Sequence, residues 1–206
     1  MTGTGVNKEN YDYAMRDAAA AYQMALLWKL TGTEQYAKNV INILNQWAAT
    51  CTEVTSNDAN HKLAAGAQGY TFAIAAEIMQ TYDGWSEADK ATFKTWIVKV
   101  FASKNKDFLD NHQGSSNCAL HYWSNWDLVN MCSYLSIGIL TEDDDMVNYV
   151  INYFYNGAGN GALNNLIQGT HIDPLSNEEI CQNQESGRDQ GHAQMSAAVT
   201  ANLCQI

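Results

Sequence analysis

The stretch "SNWDLVNMCSYLSIGIL" (124–140), followed at once by "TEDDDMVNYVINYFYNG" (141–157), decides the fold class. The first segment is apolar and rich in small residues, as befits a helix packed on more than one side. The second is amphipathic and more charged, as befits a helix with one face to water. Together they read as a helical hairpin with an inner and an outer member.

The same pairing recurs upstream. "YDYAMRDAAAAYQMALLWKL" (11–30) is a small-residue helix, ended by Thr31-Gly32-Thr33, and "EQYAKNVINILNQWAAT" (34–50) is its amphipathic partner. "HKLAAGAQGYTFAIAAEIMQTYD" (61–83) precedes "SEADKATFKTWIVKVFASK", where Ser86 and Asp89 have the spacing of a capping box. A last small-residue helix runs from about Gly187 to Ile206 without a partner. Hairpins repeating at about 60 residues fit an α-array or toroid. The expected fold is therefore all-α, an incomplete (α/α) toroid of helical hairpins with inner and outer helices. It forms a single domain over 1–206, expected to be truncated at the C-terminus and open to truncation at the N-terminus. An ordinary α-bundle is the competing architecture.

Composition limits the function. The 206 residues carry a net charge of -11, with only two arginines, Arg16 and Arg188. That excludes a general nucleic-acid or anionic-membrane surface. An anionic ligand remains compatible if a few cationic groups converge locally. The five cysteines are scattered and contain no C-x-x-C, so buried free thiols are expected rather than a zinc site or disulfide framework. No cofactor and no metal is expected. No apolar run reaches the length of a membrane span. The polar N-terminus does not read as a signal peptide, which leaves a cytoplasmic protein or a chain lacking its true start.

Two connections, 105–123 and 157–186, are much longer than the rest, and long loops on a compact helical scaffold usually carry function. Within the second, "ALNNLIQ" is compatible with a helical turn or two. Both lead to the start of an inner helix, at "SNWD" (124–127) and "SGRD" (186–189), each with capping-box spacing and Asp in place of Glu. That spacing places Asn125 and Arg188 in first turns and His192 one turn further along the Arg188 face. Helix starts offer free N–H groups and partial positive charge. If the inner helices are parallel, Asn125 and Arg188 meet at one mouth, suited to a carboxylate. Arg188 supplies a planar fork and His192 a proton carrier. An Arg188 paired merely with Asp189 or Glu185, and a His192 satisfied in a core, are the plainer readings. Beside Asn125, His121, Tyr122, Trp123 and Trp126 offer sugar-stacking faces or core packing, and Tyr122 can also exchange a proton.

At these residues the chain resembles a known family. "LHYWSNWDLVNM", "YFYNGAGNGALNNLI" and "QESGRDQGHAQM" are similar to the alginate-lyase-like superfamily of polysaccharide lyases, over roughly residues 10–206. The resemblance implies β-elimination on a 4-linked uronate polymer such as alginate or glucuronan. It implies that Asn125 and Arg188 neutralise the carboxylate, with His192 as base or carboxylate partner. His121 and Tyr122 are secondary candidates for the proton chemistry. Trp123, Trp126, Gln184 and Glu185 join His121 and Tyr122 as substrate-binding candidates. The implied partner is an acidic polysaccharide or oligosaccharide, with no nucleic acid and no membrane, and the implied location is periplasmic or secreted. Two other functions compete. An (α/α)-barrel glycoside hydrolase needs two opposed carboxylates, for which Asp127, Asp189 and Glu185 are available. A non-catalytic acidic-polysaccharide-binding protein would need the tryptophans and Arg188 but no proton carrier.

Overall fold

The computed structural model describes residues 10–56, 58–112 and 118–206. The polar N-terminus and the centre of the 105–123 connection lie outside the described residues. The helices are α1 (Tyr11–Thr31), α2 (Glu34–Thr50), α3 (Asn60–Met79), α4 (Glu87–Ile97), α5 (Ser103–Asn111), α6 (Ser124–Thr141), α7 (Asp144–Asn156), the short α8 (Leu163–Leu166) and α9 (Gln190–Gln205). Gly32 ends α1 in the left-handed conformation and returns its N–H to the Trp28 carbonyl at 2.8 Å. Only a residue without Cβ takes that conformation at no steric cost, so the break at Thr31-Gly32-Thr33 is local chemistry. Ser86 caps α4 by accepting the Asp89 N–H at 3.1 Å, as its spacing predicts.

Inner helices α1, α3, α6 and α9 pack in that order and run parallel. Tyr82, just past α3, meets Trp28 of α1, while Lys29 reaches Thr81. Gly66 of α3 lies against Val129 and Asn130 of α6, and Gly69 against Ser133. A Cβ on either glycine would stand 3.0 Å or less from these neighbours. The small residues therefore set how closely the two central helices approach. Ser124 and Cys132 of α6 meet Ser196 and Val199 of α9 in the same sense. The outer helices run back antiparallel: Trp47 of α2 donates to Asp17 of α1, and Tyr149 of α7 meets Tyr134 of α6.

The expected layering follows from burial. Nearly all of α6 is buried, with Leu128, Met131, Ile137 and Leu140 at its centre, whereas α7 buries only Met146, Val150 and Tyr153. The outer member of the middle hairpin has a feature absent from its periodicity. A single π-helical turn, Val98–Ala102, joins α4 to α5. That turn shifts the phase of the helix, so that Phe93, Trp96, Phe101, Asn105 and Phe108 all stay buried.

Three sequence expectations need correction. The 157–186 connection contains, besides the helical turn α8, an antiparallel ribbon of β1 (Ile167–Ile172) and β2 (Glu179–Asn183). Its strands are exposed on both faces, so they lack the in–out alternation that marks a strand in sequence. The last inner helix begins at Gln190 rather than near Gly187, because Asp189 and not Ser186 is its N-cap. Of the five cysteines, Cys51 and Cys132 are buried, but Cys118, Cys181 and Cys204 are exposed. Along α9, Ala197, Ala198, Ala201 and Cys204 face solvent. Among the described residues no helix is long and apolar enough to cross a membrane.

Candidate active site

Parallel inner helices bring the starts of α6 and α9 together, and one residue joins them. Glu185 follows β2 and is fully buried. One carboxylate oxygen accepts the Ser124 hydroxyl, the Asn125 backbone N–H and the Asn125 amide, each at 2.8 Å. The other accepts the Asn125 amide at 2.8 Å and Arg188 Nη1 at 3.1 Å. Gln184 completes the arrangement by accepting the Ser124 N–H at 3.0 Å. The N-terminus of α6 is thus capped by side chains some 60 residues away in sequence. A carboxylate at this position also meets the positive end of the helix dipole.

The capping box expected at Ser124–Asp127 therefore does not form. Ser124 is the first residue of α6 and makes no cap, and its hydroxyl also meets Ser196 at 3.0 Å. Asp127 turns into the core. It accepts His112 Nε2 at 2.9 Å, the Tyr153 hydroxyl at 3.2 Å and the Gly161 N–H at 2.9 Å. Burial first, and then the Asp127 charge, push the Tyr153 phenol far above its ordinary value. Gly159 and Gly161 pass so close that a Cβ on either would fall within 2.5 Å of an Asp127 atom. Asn160, between them, donates to the carbonyls of Leu120 and Tyr122 at 3.1 and 2.7 Å and so ties down the segment leading into α6. Sequence reading passed over His112, Tyr153 and Asn160. The "GAGNG" run (157–161) was the available signal, since alternate glycines mark a close backbone approach.

Arg188 lies in the turn before α9, not in its first turn. Its guanidinium is bonded by Glu185 and lies over Trp123, whose ring centroid is 4.8 Å from Cζ. The Arg188 side chain keeps 27% exposure, so part of the fork stays open to solvent. His192 is the third residue of α9. Asp189 Oδ1 accepts its backbone N–H at 3.0 Å, and Asp189 Oδ2 lies 2.6 Å from its Nδ1. The backbone N–H, then the ring, and then the charges of His192 and Arg188 hold the Asp189 carboxyl below its usual range. An ionised carboxylate only accepts, so Nδ1 carries the proton, and in the neutral ring Nε2 keeps its lone pair. Arg188 Nε lies 3.9 Å from the same Asp189 oxygen, so the guanidinium and the imidazole both border that oxygen.

The structure thus gathers Asn125, Arg188, Gln184, Glu185 and Trp123 into one group, with His192 joined through Asp189. Within it, the Asn125 amide nitrogen is spent on Glu185, and Glu185 itself has no exposed surface. The neighbouring aromatics form a second group. Tyr122 packs on Trp126 and Phe108, with centroids 4.7 and 5.1 Å apart, and His121 meets Tyr122 edge-on at 5.0 Å. Trp126 is a wall of that cluster, Trp123 is the exposed ring, and burial raises the Tyr122 phenol. Among the described residues, no group of three or more His, Cys, Asp or Glu is placed to hold a metal ion.

Residues 3–166 match the family described as alginate lyase. The match covers most of the chain, which belongs to that family and is a polysaccharide lyase. Comparison with curated proteins finds no match, and comparison with solved structures finds none.

Proposed function

We propose that the chain cleaves a 4-linked polyuronate, such as alginate or glucuronan, by β-elimination, with Arg188 binding the uronate carboxylate and His192 removing the C5 proton. The single observation that carries this reading is the Asp189–His192 pair beside a half-open arginine fork. A C5 proton next to an ionised carboxylate is poorly acidic. A guanidinium on that carboxylate stabilises the charge that develops on it as the proton leaves. His192 Nε2 takes the proton, and Asp189 stabilises the resulting imidazolium. The C5–H pair becomes the C4=C5 double bond, the C4–O4 bond breaks, and O4 leaves with a proton. Tyr122 is the candidate to supply it, since a phenol is protonated at neutral pH, and burial raises it further. The same shift makes Tyr122 less suited than His192 to act as base.

Asn125 enters this scheme indirectly, since its amide nitrogen serves Glu185. Trp123, stacked on Arg188 and exposed, is the platform offered to a sugar ring. The hydrolase alternative loses support from the same contacts. Asp127 and Glu185 are buried with their oxygens engaged, which leaves Asp189 as the one exposed carboxylate of these three candidates. An extracellular polymer as substrate goes with a periplasmic or secreted enzyme, a reading that rests on the family alone.

The test is the ultraviolet absorbance of the unsaturated uronide, measured on alginate, glucuronan and a glycosaminoglycan. Arg188→Ala is expected to lower kcat/KM by about 100-fold, the loss typical of one oxyanion-type donor. Arg188→Lys recovers only part, since an ammonium forms no planar fork. An Arg188→Ala enzyme with unchanged turnover would overturn the reading.

A further inference from the structure

We infer that Glu185 is a positioning residue that aims Arg188, an assignment that rests on the proposed carboxylate-binding role of Arg188. A fully buried carboxylate is costly unless its charge and lone pairs are answered. Here both oxygens are answered from two directions. Ser124 and Asn125 come from the start of α6, and Arg188 from the turn before α9. The backbone around Glu185 is fixed as well. Its N–H goes to Asn183 Oδ1 at 2.8 Å, and its carbonyl accepts the Arg188 N–H at 3.0 Å.

The two restraints on Arg188 act on different freedoms. Trp123 holds the guanidinium carbon over its ring, 4.8 Å from the centroid. Glu185 engages Nη1 and so limits how the guanidinium turns over that ring. Both are needed for the remaining N–H groups to meet a carboxylate as a fork. Only an ionised carboxylate meets all of these donors. A glutamine would turn an NH2 group toward the Asn125 amide or toward Arg188, so the charge of Glu185 is matched to the arginine as well as to the helix start.

The experiment compares wild type, Glu185→Gln, Arg188→Ala and the double variant with alginate and glucuronan, using single-turnover rates at high enzyme concentration where steady-state rates vanish. Glu185→Gln is expected to raise KM and lower kcat/KM by about 100-fold, the scale of a misplaced binding group. In the Arg188→Ala background the same change should cost less than about 3-fold, because its effect runs through Arg188. A purely structural Glu185 would instead give a loss that adds in full to that of Arg188→Ala, and that result overturns the assignment. Should Glu185→Gln not fold, Glu185→Asp decides. It keeps the charge but is one methylene short of spanning both partners. A folded Glu185→Asp with kcat/KM reduced about 10-fold, and no added loss beside Arg188→Ala, supports the assignment. Wild-type kcat/KM in either folded Glu185 variant overturns it. If those variants are fully active while Arg188→Ala is not, only the Glu185 assignment falls. If Arg188→Ala itself is fully active, the proposed site falls and takes this inference with it.

Discussion

The starts of α6 and α9 are spelled almost alike, "SNWD" and "SGRD", yet they are built in opposite ways. At α9 the cap is local: Asp189 sits at the N-cap and bonds the backbone and ring of His192. At α6 nothing local caps the helix. Glu185 and Gln184 do so from the far side of a 60-residue excursion, and Asp127 is turned inward to His112, Tyr153 and Gly161. The exposed start keeps its groups available for chemistry. The buried start spends its groups on holding the neighbouring elements in place.

Removing the inward carboxylate should have the largest effect on stability. Asp127→Ala strands a buried imidazole, a phenol and an N–H, and is expected to cost about 3–5 kcal/mol, read from the denaturant midpoint. A change under about 1 kcal/mol would mean that the buried cluster is not what holds the α6 start.

At α9 the expected effect is on rate. His192→Ala should lower kcat by about 100-fold or more with little change in stability, as loss of a positioned base does. A rise in KM alone would make His192 a binding group. Asp189→Asn sharpens this, because Asn caps a helix about as well as Asp but carries no charge. It should leave the melting temperature close to wild type while kcat falls. The capping contribution of Asp189 has a defined pH sense. Its carboxyl is held below the ordinary value, so the contribution is fully present above the unfolded pKa and is lost as pH falls through the lowered one. A melting temperature that dropped already near neutral pH in wild type, but not in Asp189→Asn, would contradict this.

The two serines give the smallest and most direct contrast. Ser124→Ala removes a buried hydroxyl bonded to Glu185 and Ser196 and should cost about 1–2 kcal/mol. Ser186→Ala should stay within about 0.5 kcal/mol, since Ser186 is exposed and caps nothing. Equal costs, measured by denaturant unfolding, would erase the distinction between the two starts.

What could be read from sequence was what neighbouring residues settle among themselves. Helical period, the Gly32 stop, the Ser86 cap and the inner or outer character of each helix depend on residues within a few positions. All are found in the structure. The phase shift at Val98–Ala102 escaped because one extra residue in a helical turn leaves the apolar pattern nearly intact. The ribbon escaped because strands exposed on both faces show no alternation.

The side-chain partners at the site were decided only by tertiary packing. Glu185 reads in sequence as a substrate-binding candidate or a partner of Arg188, and Asp127 as half of a capping box. Each became a buried anion because folding brought donors to it from segments 15 to 61 residues away. A carboxylate carries the same chemistry in a cap, a core or a substrate cleft. Its role is set by which donors surround it and whether water is excluded, and that choice is made only when the inner helices close on one another.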